Sequence, residues 1–200
     1  MLDIFYTLDK KILIWVNQTI SNPIFDWLMP LITHQNNWRI PSLFLVIFLA
    51  ALSGKRGRIA LVILIIAIGI TDSISAFVLK PYFARIRPSH DLIDSISLLV
   101  SKGGKWSMPS NHAANMFSLA VVLSYFFEKI KSPIYFLATT IAFSRVYVGV
   151  HYPADVIIGG LFGYGISWLV LTLWVILKMR ELKRGQTWVW YKSDPPNNFR

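Results

Sequence analysis

The sequence contains no cysteine and only four histidines, which lie far apart. The missing cysteines exclude disulfide scaffolds, thiolate metal sites and cysteine nucleophiles. The scattered histidines argue against a His-rich metal cluster. Charge is scarce as well, because charged residues make up 15% of the 200 residues, whereas soluble domains carry roughly a quarter. Apolar residues make up 54% and mean hydropathy is +0.52, which excludes intrinsic disorder.

Long apolar runs indicate a membrane protein. Residues 57–79, 111–127, 133–150 and 153–177 form four such runs, and 41–53 is a shorter one that 37–40 can extend. About 20 apolar residues span a bilayer core of roughly 30 Å. Buried helices of a soluble bundle are the alternative, but these runs leave too few charges to cover a soluble surface.

The N-terminal segment has a different pattern. Residues 2–20 place a set of apolar side chains on one helical face, namely Ile4, Phe5, Leu8, Ile12, Trp15 and Val16. Polar residues fall elsewhere, namely Asp3, Lys10 and Gln18. This pattern predicts an amphipathic helix at the membrane interface. Residues 23–34 predict a second helix that is short for a full span.

The position of the positive charge predicts the topology. The chain carries 20 Lys and Arg against 10 Asp and Glu. Nine of these cations lie in three segments that fall on the same side of the membrane if successive helices alternate in direction. They are Lys55, Arg56 and Arg58 in a short loop, then Lys129 and Lys131, and finally Lys178, Arg180, Lys183 and Arg184. The positive-inside rule makes that side the cytoplasm. The surplus charge is thereby explained by orientation, and we expect no nucleic-acid partner. Trp188, Trp190 and Tyr191 suit an interfacial belt or a loose apolar end.

The opposite side carries a basic segment and a helix start. Lys80, Arg85 and Arg87 lie within eight positions, where positive charge should be sparse. They indicate an anion site or snorkelling interfacial side chains. Ser110 and Asn111 are natural N-caps for a spanning helix. A helix N-terminus binds phosphate through free N–H groups, and His112 falls in its first turn.

A third constellation follows along the chain. Arg145 lies near the outer end of a helix, where it needs an anionic partner or a polar cavity. His151 lies in the next turn, and Asp155 falls in the first turn of the last helix. A carboxylate four residues beyond an imidazole can accept its Nδ1–H and leave Nε2 free as base or nucleophile. The alternative is a capping Asp beside an incidental His.

Cations, a helix N-terminus and two histidines on one membrane face predict phosphoryl transfer. Cations and backbone donors stabilise the charge of a transferring phosphoryl group. One histidine would attack phosphorus and the other would protonate the leaving oxygen. The sequence has no carboxylate cluster there, so we expect no metal and no cofactor.

The same residues resemble the type 2 phosphatidic acid phosphatase family, the membrane relatives of vanadium haloperoxidases. The family signature has three ordered motifs, which stand here as Lys80…Arg87-Pro88, Pro109-Ser110-Asn111-His112 and Ser144-Arg145…His151…Asp155. All three spacings agree. The departure is Asn111, where the family usually has Gly, but the role there is largely that of a backbone N–H.

The resemblance assigns a role to each residue. His151 would be the nucleophile that forms a phosphohistidine, Asp155 would orient it, and His112 would be the general acid. The phosphate cradle would consist of Lys80, Arg87, Ser110, the N–H of Asn111, and Arg145. Ser144 belongs to the signature without a chemical role of its own.

Several neighbouring residues receive a default interpretation. Tyr82, Arg85, His90 and Asp91 are expected to be solvated at the surface. Asp72, two helical turns before Lys80, is an ionisable group within the membrane. It either lines a lipid pocket or pairs with Lys80. The glycines at 159, 160, 163 and 165 are expected to permit close helix packing.

We therefore expect an all-α, polytopic transmembrane helical bundle with five spanning helices and 23–34 as a candidate sixth. Residues 1–200 form one domain, with an interfacial helix at 1–20, a transmembrane core at 23–178 and a cytoplasmic tail at 179–200. The motifs lie at 80–88, 109–112 and 144–155. The expected location is the inner (plasma) membrane, with the active site on the extracytoplasmic side.

The resemblance implies a phosphorylated lipid substrate, and among such short members undecaprenyl diphosphate ranks first. Its hydrolysis to the monophosphate would recycle a carrier for cell-wall synthesis. Phosphatidate, phosphatidylglycerol phosphate and lipid A phosphates are close alternatives. Two other classes stay open: a lipid phosphotransferase that uses the same site, and a non-enzymatic membrane protein whose basic loop holds phosphate. Oligomeric state is not predicted.

Overall fold

The computed structural model describes residues 2–191, with side chains from residue 4 onward, and this part of the chain is all-helical. The α-helices are α1 (Leu2–Ile14), α2 (Pro23–Thr33), α3 (Arg39–Ile47), α4 (Gly54–Ile74), α5 (Lys80–Phe83), α6 (Pro88–Asp91), α7 (Asn111–Phe126), α8 (Lys131–Tyr147) and α9 (Pro153–Lys183). Single π-helical turns extend three of them, at Trp15–Thr19, Phe48–Leu52 and Ser75–Leu79. The predicted all-α class is confirmed.

The first two helices follow the predicted boundaries closely. Asn22 ends the first helical segment and caps α2, because its side-chain oxygen accepts hydrogen bonds from the backbone N–H groups of Ile24 (3.1 Å) and Phe25 (3.0 Å). Pro23 occupies the first turn, where a missing N–H costs nothing. Most apolar side chains of the predicted interfacial face are exposed, although Val16 is buried. The position of α1 at a membrane surface stays a prediction.

Two helical rods are long and apolar enough to cross a bilayer. Helix α4, its π-turn and α5 run on as one rod over Gly54–Phe83, with mean hydropathy 2.4. Helix α9 has 31 residues and mean hydropathy 1.9. Helices α7 and α8 are shorter, with 16 and 17 residues. The count of five or six spans therefore stays a prediction.

The structure corrects the predicted loop around residue 55. The cations Lys55, Arg56 and Arg58 lie within α4 itself, which begins at Gly54. The chain reverses between Phe48–Leu52 and α4 through Ser53 and Gly54, whose φ of 59° is left-handed. Glycine adopts that conformation without steric cost, so no longer loop is needed.

The three basic segments do meet at one end of the bundle. Lys55 Nζ donates to the carbonyl of Thr187 at 2.7 Å. The guanidinium of Arg56 stacks over Phe127 and Tyr191. The ammonium of Lys178 also lies over the ring of Tyr191. Alternation of the helices thus produces the charge asymmetry that the sequence predicts. Residues 192–200 of the predicted tail lie outside the described residues.

Glycines bring α7 and α9 into backbone contact. A Cβ on Gly159 would lie 2.5 Å from the carbonyl oxygen of Ser110, and one on Gly163 would overlap the carbonyl of Ala114. Farther along the two helices, Ser118 and Ser167 join them through a 2.6 Å hydrogen bond between hydroxyls. The predicted packing role fits these two glycines. Gly165, in contrast, has open space where a Cβ would be.

Candidate active site

The turn between α8 and α9 presents an imidazole in front of a carboxylate. Gly149 has φ +80°, which lets the chain turn back tightly. His151 is 1% exposed, and its Nδ1 lies 3.5 Å from Oδ2 of Asp155. The same Oδ2 accepts the backbone N–H of Tyr152 at 2.9 Å. The ring nitrogen that remains for the cavity is Nε2.

The surroundings of His151 favour its neutral form. Burial lowers the pKa of this imidazole well below the usual value of 6.5, and the positive charges of Arg87, Arg145 and Lys80 lower it further. The 3.5 Å separation from Asp155 exceeds an ordinary hydrogen bond. His151 is therefore an unprotonated imidazole, available as an acceptor or nucleophile.

The start of α7 is fixed by backbone contacts to both other motifs. Ser110 is the N-cap residue, and its N–H donates to the carbonyl oxygen of Asp155 at 2.9 Å. Lys80 Nζ donates to the carbonyl of Pro109 at 2.8 Å. These two bonds connect all three motifs through main-chain groups of Pro109, Ser110 and Asp155, with Lys80 supplying the side-chain donor. His112 occupies the second position of the helix.

The side chain of Asn111 does not enter the phosphate cradle. Its Nδ2 donates to Oδ1 of Asp72 at 2.9 Å, and its Oδ1 accepts from the hydroxyl of Ser75 at 2.9 Å. Both partners belong to the α4 rod. The larger side chain in place of glycine therefore ties α7 to α4. Of the two alternatives for Asp72, the structure favours the first: Asp72 lines a cavity and accepts from Asn111, and within the described residues it forms no ion pair with Lys80.

Arg87 and Arg145 bring positive charge to the same cavity from different elements. Arg87 Nε donates to the carbonyl of Trp106 at 2.9 Å, and burial lowers the pKa of its guanidinium. Arg145 is 8% exposed and donates to the hydroxyl of Thr33 at 2.6 Å. Within the described residues its Nε has no hydrogen-bond partner. Buried guanidinium groups with unused donors favour an anionic ligand.

Six of the eight predicted site residues line one cavity of about 470 Å³. They are Lys80, Arg87, Asn111, His112, Arg145 and His151. Asp155 lies behind His151 and does not line the cavity. Ser110 is fully buried at the N-cap, and its hydroxyl has no hydrogen-bond partner within the part of the chain that the structure describes. The motifs therefore converge as the sequence predicts, with two members supporting the site from behind.

Arg85 is not the solvated surface residue that the sequence predicts. Its guanidinium donates to Oδ1 of Asp155 at 2.8 Å and to Oδ2 of Asp9. Burial lowers the pKa of Arg85, but the two carboxylates outweigh burial and raise it overall. Asp9 also accepts the N–H of Ala154 at the start of α9. Two buried carboxylates from distant segments draw Arg85 out of solvent.

Asp91 is likewise held by partners from α1 and from the catalytic turn. Its Oδ2 accepts the hydroxyls of Tyr6 (2.7 Å) and Tyr152 (3.0 Å) and pairs with Lys10 at 3.1 Å. The bond from Tyr6 is the main cause that lowers the Asp91 pKa. Asp91 is exposed as expected, but it is held by these partners, and Tyr82 is 80% exposed.

Sequence reasoning missed one wall of the cavity. The connection between α2 and α3 contributes Thr33, His34, Gln35 and Asn36, and the long loop contributes Val100, Ser101, Gly103 and Gly104. No motif spacing marks the residues of this connection, and the partner of Thr33 lies 112 positions away.

The side chains that line the cavity suit an anionic ligand such as phosphate. Across residues 2–191 no three His, Asp or Glu side chains converge in a way that could hold a metal ion. Cations surround an unprotonated imidazole, and a second imidazole stands across the same cavity. This arrangement can bind a phosphate, attack it and protonate a leaving group. Metal independence stays a prediction.

A family model described as the PAP2 superfamily matches residues 56–178, more than half of the chain. The chain belongs to the PAP2 superfamily. The family resemblance read from the three motifs is thereby confirmed. This PAP2 protein is a membrane lipid phosphatase, an enzyme class that hydrolyses phosphate monoester or diphosphate head groups.

Two relatives of this PAP2 phosphatase are named lipid A 4'-phosphatase. The one from Porphyromonas gingivalis is 30% identical over 82% of this chain and 72% of its own length. The one from Bacteroides thetaiotaomicron is 31% identical over 84% and 78%. An undecaprenyl-diphosphatase from Sulfolobus acidocaldarius is 36% identical, but over 58% of this chain and 55% of its own.

Solved structures show the same fold. The crystal structure of Aquifex aeolicus LpxE superposes with a TM-score of 0.69 at 26% identity, covering 82% of this chain and 95% of that one. A transmembrane PAP2-type phosphatidylglycerolphosphate phosphatase from Bacillus subtilis gives 0.62 at 22% identity, covering 85% and 86%. The second likeness, at that identity, concerns the fold alone.

Proposed function

We propose that this enzyme hydrolyses a phosphate monoester on a membrane glycolipid of the lipid A type, through a phosphohistidine on His151. The observation that carries the chemistry is the buried imidazole of His151, backed by Asp155, in a cavity whose cations are Lys80, Arg87 and Arg145. The choice of lipid is supported by the two lipid A 4'-phosphatases, whose sequences align with about four-fifths of this chain.

The first step is an in-line attack by Nε2 of His151 on phosphorus. A phosphate in the cavity offsets the positive charge of Lys80, Arg87 and Arg145, and this favours the protonated form of His112. The P–N bond forms as the bond from phosphorus to the lipid oxygen breaks, and the protonated His112 gives its proton to that oxygen. Lys80, Arg87 and Arg145 stabilise the charge on the three equatorial oxygens. The imidazole becomes cationic during attack, so Asp155 at 3.5 Å gains a charge to pair with.

The second step returns the enzyme to its starting state. His112, now unprotonated, removes a proton from water, whose oxygen attacks phosphorus on the face opposite His151. The P–N bond breaks, phosphate leaves and His112 is again protonated. A lipid hydroxyl in place of water would give the phosphotransferase, which uses the same groups.

The test is phosphate release from lipid A, phosphatidate and undecaprenyl diphosphate by the purified enzyme. His151→Ala should abolish turnover on every substrate while the protein stays folded in detergent. His112→Ala should be nearly inactive on lipids but retain more activity on a phosphate ester with a good leaving group, which needs no general acid. Wild-type turnover by His151→Ala would refute the mechanism.

Undecaprenyl diphosphate, which ranks first from the sequence resemblance, is the second candidate. The undecaprenyl-diphosphatase relative supports it over a little more than half of the chain. The extracytoplasmic orientation of the site, which carrier recycling requires, is supported by the basic segments gathered at the opposite end of the bundle. The location in the inner (plasma) membrane is part of the same proposal.

A further inference from the structure

A second cavity of about 330 Å³ lies beside His112, and His151 is not among the residues that line it. Both cavities are lined by His112 and Asn111, so they adjoin at the general acid. The second cavity is lined by Gln35, Trp38, Asp72, Asn111, His112, Asn115, Met116 and Ile141. We call it the leaving-group chamber, because a phosphate held beside His151 and Arg145 would extend its esterified oxygen past His112 into it.

The chamber contains a carboxylate and an amide oxygen that can accept further hydrogen bonds. Asp72 receives the amides of Asn111 (2.9 Å) and Asn115 (2.8 Å) on the same oxygen, Oδ1. Asp72 is half-buried, and its other carboxylate oxygen accepts no hydrogen bond within residues 4–191. The Oδ1 of Asn115 is buried and lacks a partner within the same residues. A buried acceptor such as this amide oxygen is costly unless a ligand supplies a donor.

The depth of Asp72 strengthens this interpretation. Asp72 precedes Lys80 by eight residues on the α4 rod, which places it about 12 Å farther from the catalytic surface. An ionisable residue inside a spanning helix marks a functional site by default. Apart from Gln35, the remaining walls are apolar or aromatic, with Met116, Ile141 and the ring of Trp38. The chamber thus combines acceptors with apolar walls at the level between head group and lipid tails.

Resting on the proposed function, we infer that the leaving-group chamber selects a leaving group with hydroxyl or amide donors, such as a sugar ring, through Asp72 and Asn115. Neutral hydroxyl and N–H groups satisfy a carboxylate and an amide oxygen. The ring of Trp38 offers a flat apolar surface against which a sugar ring can pack. Asp72 and Asn115 would be specificity residues for the leaving group, separate from the phosphate cradle.

The same carboxylate disfavours a charged leaving group. Hydrolysis of a prenyl diphosphate releases a prenyl phosphate, whose negative charge would lie beside Asp72 in a region of low dielectric. Like charges repel strongly there, and such repulsion is an effective means of discrimination. Phosphatidate is an intermediate case, since its diacylglycerol leaving group carries neither a hydrogen-bond donor besides the reacting oxygen nor a charge.

The experiment compares kcat/KM on lipid A, phosphatidate and undecaprenyl diphosphate for Asp72→Asn, Asn115→Leu and the wild type. The ratio of lipid A to phosphatidate should fall about tenfold or more in both variants, the effect of one lost hydrogen bond to a charged or buried group. The ratio of undecaprenyl diphosphate to phosphatidate should rise in Asp72→Asn. Ser73→Ala, at the exposed neighbour of Asp72, is the matched control.

Equal losses on all three lipids would overturn the inference, because Asp72 would then serve only to hold Asn111. Unchanged ratios would overturn it as well, whereas a wild type that hydrolyses phosphatidate but not lipid A would contradict the lipid chosen in the proposed function. A wild type that releases phosphate from none of the three lipids would instead contradict the proposed function. The failures of the two proposals are therefore distinguishable.

Discussion

Arg85 and Asp155 form a buried ion pair directly behind the catalytic turn, with 2.8 Å between the guanidinium nitrogen and Oδ1 of the carboxylate. The other oxygen of Asp155 faces His151. Asp9 binds the second guanidinium nitrogen, so the first helix of the chain takes part in holding the group that orients the nucleophile. A residue on α1, far from every motif, is thereby connected to the chemistry.

We predict that Arg85 is a positioning residue. Arg85→Ala leaves two buried carboxylates unpaired, which should destabilise the protein by about 3–5 kcal/mol. Arg85→Lys keeps the charge but cannot bridge both carboxylates, so it should fold and lose kcat more than KM. Wild-type kcat in Arg85→Lys would contradict this role, and Asp94→Asn, at an exposed carboxylate, is the control.

The lowered pKa of His151 has a consequence for stability. The unfolded chain binds a proton at this residue below about pH 6.5, whereas the folded protein does not until a lower pH. Stability from this residue is therefore complete above pH 6.5 and declines as pH falls, by up to about 1.4 kcal/mol per unit. Lowering the pH from 7.5 to 5.5 should therefore lower the thermal unfolding temperature of the wild type in detergent more than that of His151→Gln. His90→Gln, at an exposed imidazole, should behave as wild type.

The cation-lined cavity predicts a particular inhibitor profile. Chelation with EDTA should leave phosphate release unchanged, since the proposed mechanism uses no metal. Vanadate should inhibit, because it adopts the five-coordinate geometry of phosphorus in the transition state and carries negative charge. Arg145→Ala should weaken vanadate inhibition at least tenfold, the loss of one charge-assisted contact. Activity that disappears in EDTA and returns with magnesium would contradict the assignment.

Sidedness can be measured with single cysteines, because the sequence has none. Ser97 lies in the catalytic loop and Ser132 at the basic end of α8, and both are exposed. In intact cells, or spheroplasts where an outer membrane intervenes, an impermeant thiol reagent should label Ser97→Cys and spare Ser132→Cys. The reverse result would place the site in the cytoplasm and remove the carrier-recycling candidate, but it would leave the phosphatase chemistry intact.

The catalytic residues could be predicted because each motif is local. His151 and Asp155 are four residues apart across a turn and a helix start, and Ser110 caps the helix that bears His112. Spacing of that kind determines geometry with little help from the rest of the fold. The resemblance to the family then indicated that the three motifs belong to one site.

Residues whose roles depend on distant partners escaped the sequence analysis. Arg85 reaches carboxylates 70 and 76 positions away, and Thr33 reaches Arg145 across 112. A charged residue near a surface loop is solvated by default, and only tertiary packing reveals a buried acceptor. The tight reversal at Gly54 was missed for a related reason. The basic residues Lys55, Arg56 and Arg58 suggest a loop by composition, but one left-handed glycine turns the chain and leaves them inside α4.

The glycine contacts between α7 and α9 determine which parts of the molecule can yield to a substrate. Gly159 lies against the carbonyl of Ser110, and Gly163 against that of Ala114, so the two helices cannot slide past one another without a backbone collision. His112 lies in the first turn of α7, and the turn that carries His151 leads directly into α9. The reacting groups thus share one rigid frame. We expect admission of a lipid to depend on the opposite wall at residues 33–36, whose displacement would leave the distance between the two histidines unaltered.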